Sequence, residues 1–131
     1  MLKILYPLFF SISFISAQPQ LHTFSINNET RQYYLYTPDS LGPGVPLLFV
    51  LHGYTGSALS IMNYSDINQI ADQNGFVVCY PQGLIDDMDN AFWNVGYDFH
   101  PNEVVDDLEF LSSLANYLQK EYGLSSYNTF S

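Results

Sequence analysis

With 131 residues the chain is long enough for one small domain, and 47% apolar residues with eleven Tyr and ten Phe make its composition globular rather than disordered. Three basic residues (Lys3, Arg31 and Lys120) stand against thirteen acidic ones, for a formal net charge of −10. That balance argues against nucleic acid and an anionic membrane surface as partners, since both must be met by Lys and Arg, and it suits a neutral or weakly charged substrate.

In chain order, Lys3 is a positive n-region and Ile4 to Ile15 is apolar apart from Pro7 and interspersed Ser, with Ile15-Ser16-Ala17 closing the segment. This is the pattern of a signal peptide over residues 1–17, too short for a membrane anchor, so residues 18–131 are expected to be one secreted (extracellular or periplasmic) domain that leaves the membrane once the signal is removed. "LHTFSINNETRQYYLYTP" predicts a hairpin, with Phe24 and Ile26 on one strand, Asn27 to Thr30 turning the chain, and Tyr34 and Tyr36 on one face of the return strand. "DSLGPGVP" reads as a loop from its glycines and prolines. Leu47 to Leu51 is apolar without alternation, as in a parallel strand covered on both faces.

Beyond it, Ser65 is placed to cap a short helix carrying Ile67, Ile70 and Ala71, with Asn74-Gly75 as its stop. "FVVCYP" predicts a second buried strand, in which the lone Cys79 is a buried thiol rather than half of a disulfide. "LIDDMDNAFWNVGYDFHP" is expected to be irregular. A long helix is predicted from Pro101 or Asn102 to Gly123, with Val104, Leu108, Leu111, Ala115, Leu118 and Tyr122 as its apolar stripe. Glu103, Asp106 and Asp107 fall in its first turns, where their charge favours the helix dipole, and Lys120 in its last. The order is hairpin, strand, helix, strand, helix, which makes an α/β layered fold.

"PLLFVLHGYTGSA" is the most informative stretch. In open α/β sheets chemistry gathers beyond the carboxyl ends of the strands, and here one such strand ends in His-Gly with a second glycine three residues on. Three uses of such a turn compete. A phosphate cradle is disfavoured because neither G-x-G-x-x-G nor the Lys of a P-loop is present. A purely structural turn and an oxyanion hole, in which a backbone N–H holds negative charge on a carbonyl oxygen, both remain.

"RQYYLYTP", "PLLFVLHGYTGSA", "ADQNGFVVCYPQG", "FWNVG" and "VVDDLEFLSSLANYLQKEYGL", in this order, resemble the N-terminal half of secreted α/β-hydrolase esterases of the poly(3-hydroxybutyrate) depolymerase and feruloyl-esterase-like family. The resemblance spans roughly residues 24–131. It implies an α/β-hydrolase fold in which the third strand pairs with both the fourth and the fifth, a serine carboxylic-ester hydrolase acting on polyester, feruloyl or acetyl-type esters of a polymer or plant wall, and no cofactor. It further implies that His52, Gly53, Tyr54 and Thr55 form the oxyanion loop, with the N–H of Tyr54 or Thr55 as donor and His52 tying the loop down. Trp93 and Asn94 are implied to lie at the substrate cleft, though an aromatic core plug is an equal reading for Trp93. Asp106 and Asp107 match the family's "VDD"; as helix-terminal charges, one making local hydrogen bonds, they need no catalytic role.

The family's nucleophile is the Ser of G-x-S-x-G, and this sequence has no such motif. The expectation is therefore an N-terminal fragment without the catalytic triad, inactive alone and, with its strand edge uncovered, aggregated or partly unfolded as residues 18–131. None of His22, His52 and His100 is placed as a triad base, and Ser57 and Ser60 more naturally cap or face solvent. The acidic run Asp86 to Asn90 departs from the calcium-loop pattern at Ala91 and Phe92 and is expected to be a solvated loop, so no metal is implied. The alternative to the esterase is a short secreted non-catalytic module that binds polymer or polysaccharide through its aromatics.

Overall fold

The computed structural model of the chain describes residues 17–100 and 104–131. The expected signal peptide, apart from Ala17, lies outside the described residues, as do Pro101 and Asn102; the helix expected to begin there begins only at Asp107, since residues 104–106 are not helical.

The hairpin forms, with a tighter turn than expected. Strand β1 (Gln20–Ile26) pairs antiparallel with β2 (Glu29–Tyr36), and Ile26 faces Glu29, so only Asn27 and Asn28 make the turn. Both have positive φ, 50° and 64°, the conformation that a two-residue type I′ turn requires and that Asn adopts more readily than most side chains. Its twist matches that of the flanking strands.

Three parallel strands follow: β3 (Leu47–Phe49), β4 (Val77–Pro81) and, at the end of the chain, β7 (Thr129–Phe130). The sheet order is β1-β2-β4-β3-β7, with β2 antiparallel to β4 and β3 lying between β4 and β7. β3 is shorter than the expected Leu47 to Leu51, and Leu51 has already emerged to 37% exposure. The sheet is covered on both faces. On one, Tyr33, Leu35, Leu47, Phe49, Val77 and Cys79 pack with Phe110, Leu114 and Leu118 of helix α3 (Asp107–Glu121). On the other, Tyr36, Val78 and Tyr80 pack with Ala58 and Met62 of α1 (Ala58–Tyr64) and Ala71 of α2 (Ile67–Asn74). Every residue of β4 is buried, which accounts for its unbroken apolar sequence, and Cys79 sits inside it with no exposure.

Several elements differ from expectation. Ser65 ends a helix rather than starting one: its N–H bonds the Ile61 carbonyl at the C-cap of α1, and Asp66 precedes α2. Helix α1 was not foreseen, because seven residues carry too little periodicity, yet Ser57 caps it by accepting the Ser60 N–H at 3.1 Å. Within the segment expected to be irregular, β5 (Leu84–Ile85) and β6 (Ala91–Phe92) pair as a small antiparallel ribbon. Helix α3 is rotated from its expected stripe. Leu111, Ala115 and Leu118 reach the core, but Phe110 and Leu114 share it while Leu108 is 77% exposed, and Val104, outside the helix, is 94% exposed.

The rotation of α3 follows from a charge. Arg31 on β2 is 2% exposed and lies over the Phe110 ring at 3.9 Å from its centroid, with Nη1 donating to Asp107 Oδ1 at 2.5 Å and Nη2 to the Gln82 carbonyl at 3.2 Å. Asp107 must therefore face the sheet, and Leu108 beside it must face away. Of the two aspartates expected at the helix end, Asp106 is the local cap, accepting the Glu109 N–H at 2.8 Å, whereas Asp107 is a buried long-range partner.

Two outcomes follow from this packing. Asp107→Ala takes from the buried Arg31 guanidinium its close counter-charge, leaving only the half-exposed Glu29 carboxylate at 3.9 Å, and is expected to cost about 3–5 kcal/mol in urea denaturation. Gly83→Ala adds a methyl group that would lie 2.2 Å from the Phe92 carbonyl oxygen, backbone that cannot swing aside. It is expected to cost at least about 1–3 kcal/mol, and an unshifted urea midpoint would contradict this packing.

Candidate functional site

The His-Gly turn leaves the sheet just past β3, where the Val50 N–H makes a last bond to the Cys79 carbonyl at 2.9 Å. His52 is 3% exposed, and each ring nitrogen has its role set by its partner. Nδ1 lies 2.8 Å from the Gly53 carbonyl, which can only accept, and Nε2 receives the Gly83 N–H at 2.9 Å. The ring proton therefore sits on Nδ1. Gln82 Nε2 also approaches Nε2 at 3.1 Å, and Gln82 Oε1 accepts the Ala58 N–H at 2.9 Å. One imidazole and one carboxamide thus link the ends of β3 and β4 to the start of α1.

The turn itself is closed by the Gly56 N–H to the Gly53 carbonyl at 3.0 Å, with Thr55 left-handed at φ 66°. A side chain on Gly56 would press against that carbonyl at 3.0 Å, so glycine is needed there for close approach. Its neighbours hold it from outside. The Thr55 N–H donates to the Ala91 carbonyl at 2.8 Å, and Trp93 Nε1 donates to the His52 carbonyl at 2.9 Å, with the two rings 5.1 Å apart. Of the two candidate donors, Thr55 is therefore engaged. The Tyr54 N–H makes no hydrogen bond among the described residues, in a loop where Gly53, Tyr54 and Thr55 are all exposed and nothing lies within 4 Å of where a Gly53 side chain would be.

Trp93 and Asn94 border this loop. Trp93 is partly buried against the α3-side core, and Arg31 stands 5.4 Å from its ring. The Asn94 N–H donates to Asp107 Oδ2 at 2.5 Å, and its Nδ2 to the Val105 carbonyl at 2.8 Å. The structure thus brings His52, Gly53, Tyr54, Thr55, Trp93 and Asn94 into one bonded neighbourhood. His22 is not part of it; it stacks on Tyr33 in the hairpin, 5.2 Å between centroids.

The acidic run is exposed at Asp87, Met88 and Asp89, as expected of a solvated loop, and departs from that expectation at its first residue. Asp86 is 6% exposed and its carboxylate accepts four bonds. Oδ1 takes the N–H groups of Met88 (2.9 Å) and Asn90 (2.8 Å); Oδ2 takes the Tyr54 hydroxyl and His100 Nε2, both at 2.9 Å. Asn90 Nδ2 adds a bond to the Tyr54 hydroxyl at 3.1 Å. The short turn favoured by Asp-x-x-x-Asn was a visible signal, but its pairing with Tyr54 and His100 crosses loops and was not. His100 is itself buried, against Phe92, Phe99 and Tyr54 at 4.7, 4.5 and 5.7 Å between centroids. Among the described residues, no group of three or more His, Cys, Asp or Glu is arranged to hold a metal ion.

Burial alone would raise the Asp86 carboxyl; the bonds from Asn90, His100, Tyr54 and Met88 outweigh it and bring it down to about 2. A carboxyl lowered on folding stabilises the fold above its unfolded value near 4, and the contribution fades as pH falls toward 2. Asp86→Asn is thus expected to flatten the acid side of the Tm-versus-pH curve of the protein between about pH 4 and pH 2. A variant curve parallel to the wild type would contradict it.

No protein-family model matches the chain. In sequence it is 27% identical over 96 residues to the bifunctional acetylxylan esterase/xylanase XynS20E of Neocallimastix patriciarum, covering 73% of this chain and 13% of that protein. It is 36% identical over 58 residues to feruloyl esterase B of Thermothelomyces thermophilus, covering 44% of this chain and 20% of that one. The chain thus spans a fifth or less of the length of the relatives it matches. Among solved structures, S-formylglutathione hydrolase (FrmB) from Staphylococcus aureus superimposes with a TM-score of 0.61 at 17% identity, covering 87% of this chain and 46% of that one. The acetyl xylan esterase from Aspergillus awamori gives 0.59 at 18% identity, covering 85% and 41%. The described residues therefore have the partial α/β-hydrolase fold seen in these enzymes, and in sequence the chain is similar to acetylxylan and feruloyl esterases.

Proposed function

We propose that this chain supplies the oxyanion side of the active site of an exported serine carboxylic-ester hydrolase, acting on feruloyl, acetyl or polyester-type esters of a polymer or plant wall. The observation that carries the reading is the Tyr54 N–H, which has no partner among the described residues while the Thr55 and Gly56 N–H groups and the His52 and Gly53 carbonyls around it are all bonded. A donor held by a bonded frame needs no reorganisation when charge develops, and such preorganisation is the main source of oxyanion stabilisation. Trp93 and Asn94 would border the cleft on the same side.

In this reading the nucleophilic Ser and its His and acidic partners are contributed by residues after Ser131, which the absence of G-x-S-x-G here and the partial coverage of the solved enzymes support. The Ser hydroxyl attacks the ester carbonyl and gives its proton to the His. The carbonyl oxygen becomes an oxyanion held by the Tyr54 N–H and by the N–H after the nucleophile, and the alcohol leaves with the proton from the His. Water then repeats the sequence on the acyl-enzyme and releases the acid.

Reading the gene past codon 131 into a G-x-S-x-G segment gives the protein to test. Tyr54 lies second in a turn whose third residue is left-handed, the place proline favours, so Tyr54→Pro deletes the N–H with little distortion. Its kcat on p-nitrophenyl acetate and methyl ferulate is expected to fall about 10²–10³-fold below that of Tyr54→Ala, which keeps the amide. Equal rates would reject the oxyanion role. Absence of hydrolysis by the wild type, together with retention on insoluble xylan, would favour the binding module.

A further inference from the structure

Asp86 lies outside the His-Gly turn and outside every motif that identifies the fold, yet it is the point where three loops meet. Its two oxygens collect the N–H groups of Met88 and Asn90, the Tyr54 hydroxyl and His100 Nε2. The first pair closes its own turn between β5 and β6. The third reaches the His-Gly turn, and the fourth reaches the aromatic segment in which Tyr97 and Phe99 stack at 5.0 Å. We propose that Asp86 is the positioning residue of the oxyanion donor, clamping the Tyr54 side chain so that the Tyr54 amide keeps one orientation. The proposal rests on the esterase reading above and adds to it the residue that steadies the amide.

The geometry makes the clamp two-sided. On the backbone side the Thr55 N–H is bonded to the Ala91 carbonyl, so the peptide after Tyr54 is fixed to β6. On the side-chain side the phenol is bonded to Asp86 and Asn90, at opposite ends of the turn that leads into that strand. Tyr54 is 40% exposed, and its ring contacts Phe99 and His100 only by tilted or edge approaches at 5.6 and 5.7 Å. A half-exposed side chain with so little packing owes its position to its hydroxyl bonds. The carboxylate also stays ionised across ordinary working pH, being lowered to about 2, so the charge-assisted bond persists there.

The test is a double-mutant cycle in the full-length protein. Asp86→Asn removes the charged acceptor and Tyr54→Phe removes the hydroxyl while both keep side-chain shape. Each is expected to lower kcat on p-nitrophenyl acetate by about tenfold with KM within about twofold, a loss of roughly 1.4 kcal/mol in the transition state only. The double variant is expected to be no slower than either single one, because both break the same link. Full activity of Tyr54→Phe, or losses that multiply in the double variant, would overturn the proposal. A second readout does not depend on turnover: in protein labelled with ¹⁵N-tyrosine, the Tyr54 amide is expected to gain motion equally in the two variants while the Tyr33 and Tyr80 amides in the core strands do not change. If the wild type proves not to be an esterase, this relaxation measurement still decides the clamp, and a Tyr54 amide as rigid in Asp86→Asn as in the wild type would sink it.

Discussion

The bond from the Gly83 N–H to the His52 imidazole is the constraint on which the candidate site depends. The backbone bonds between β3 and β4 end with the Val50 N–H on the Cys79 carbonyl, which leaves a gap where the His-Gly turn begins. His52 spans that gap: it takes a donor from the chain after β4 and returns its own proton to the carbonyl of the very next residue, Gly53. Gly83 can approach only because it has no side chain, since a methyl group there would collide with the Phe92 carbonyl. The His-Gly after β3 and the Gln-Gly after β4 therefore work as one unit, although thirty residues separate them in the chain.

Around this link the remaining polar bonds radiate inward. Trp93 holds the His52 carbonyl, and Asn94 beside it is bonded through its N–H to Asp107, whose other oxygen meets Arg31. Arg31 returns to the Gln82 carbonyl, one residue from Gly83. The circuit runs from turn to helix to hairpin and back. A buried ion pair of this kind costs desolvation that its attraction only roughly offsets, so its worth lies in where it holds α3 relative to β2, more than in net stability. The packed apolar residues on both faces of β4 carry the stability.

Much of this fold was legible because it follows periodicity. The continuous apolar runs of β3 and β4 and the Asn-Gly stop of α2 each reflect local or one-dimensional constraints. The hairpin was legible for the same reason, though its turn proved two residues shorter at the C-terminal side, because the left-handed preference of Asn27 and Asn28 outweighed the polar character of Glu29 and Thr30. The phase of α3 was not legible. Counting apolar spacings placed Leu108 inward, and nothing local reveals that Arg31, 76 residues earlier, draws Asp107 into that position. Likewise the run Asp86 to Asn90 looks like exposed acid in one dimension; only the return of the chain at Tyr54 and His100 makes Asp86 an internal acceptor. In the loop from His52 to Thr55 the sequence leaves the two amides equivalent, and only the fold separates them: the Ala91 carbonyl takes the Thr55 N–H, while the Tyr54 N–H has no protein partner among the described residues.

Cys79 offers a separate handle on the same architecture. It is the one thiol in the sequence, lies midway along the innermost strand with no exposure, and is pushed up in pKa by burial, so it is a poor nucleophile while the sheet is closed. A thiol reagent can reach it only when β4 parts from a neighbouring strand or from the helices above and below. Its rate of alkylation is thus a clock built into the centre of the protein, counting openings of the sheet without any label having been added.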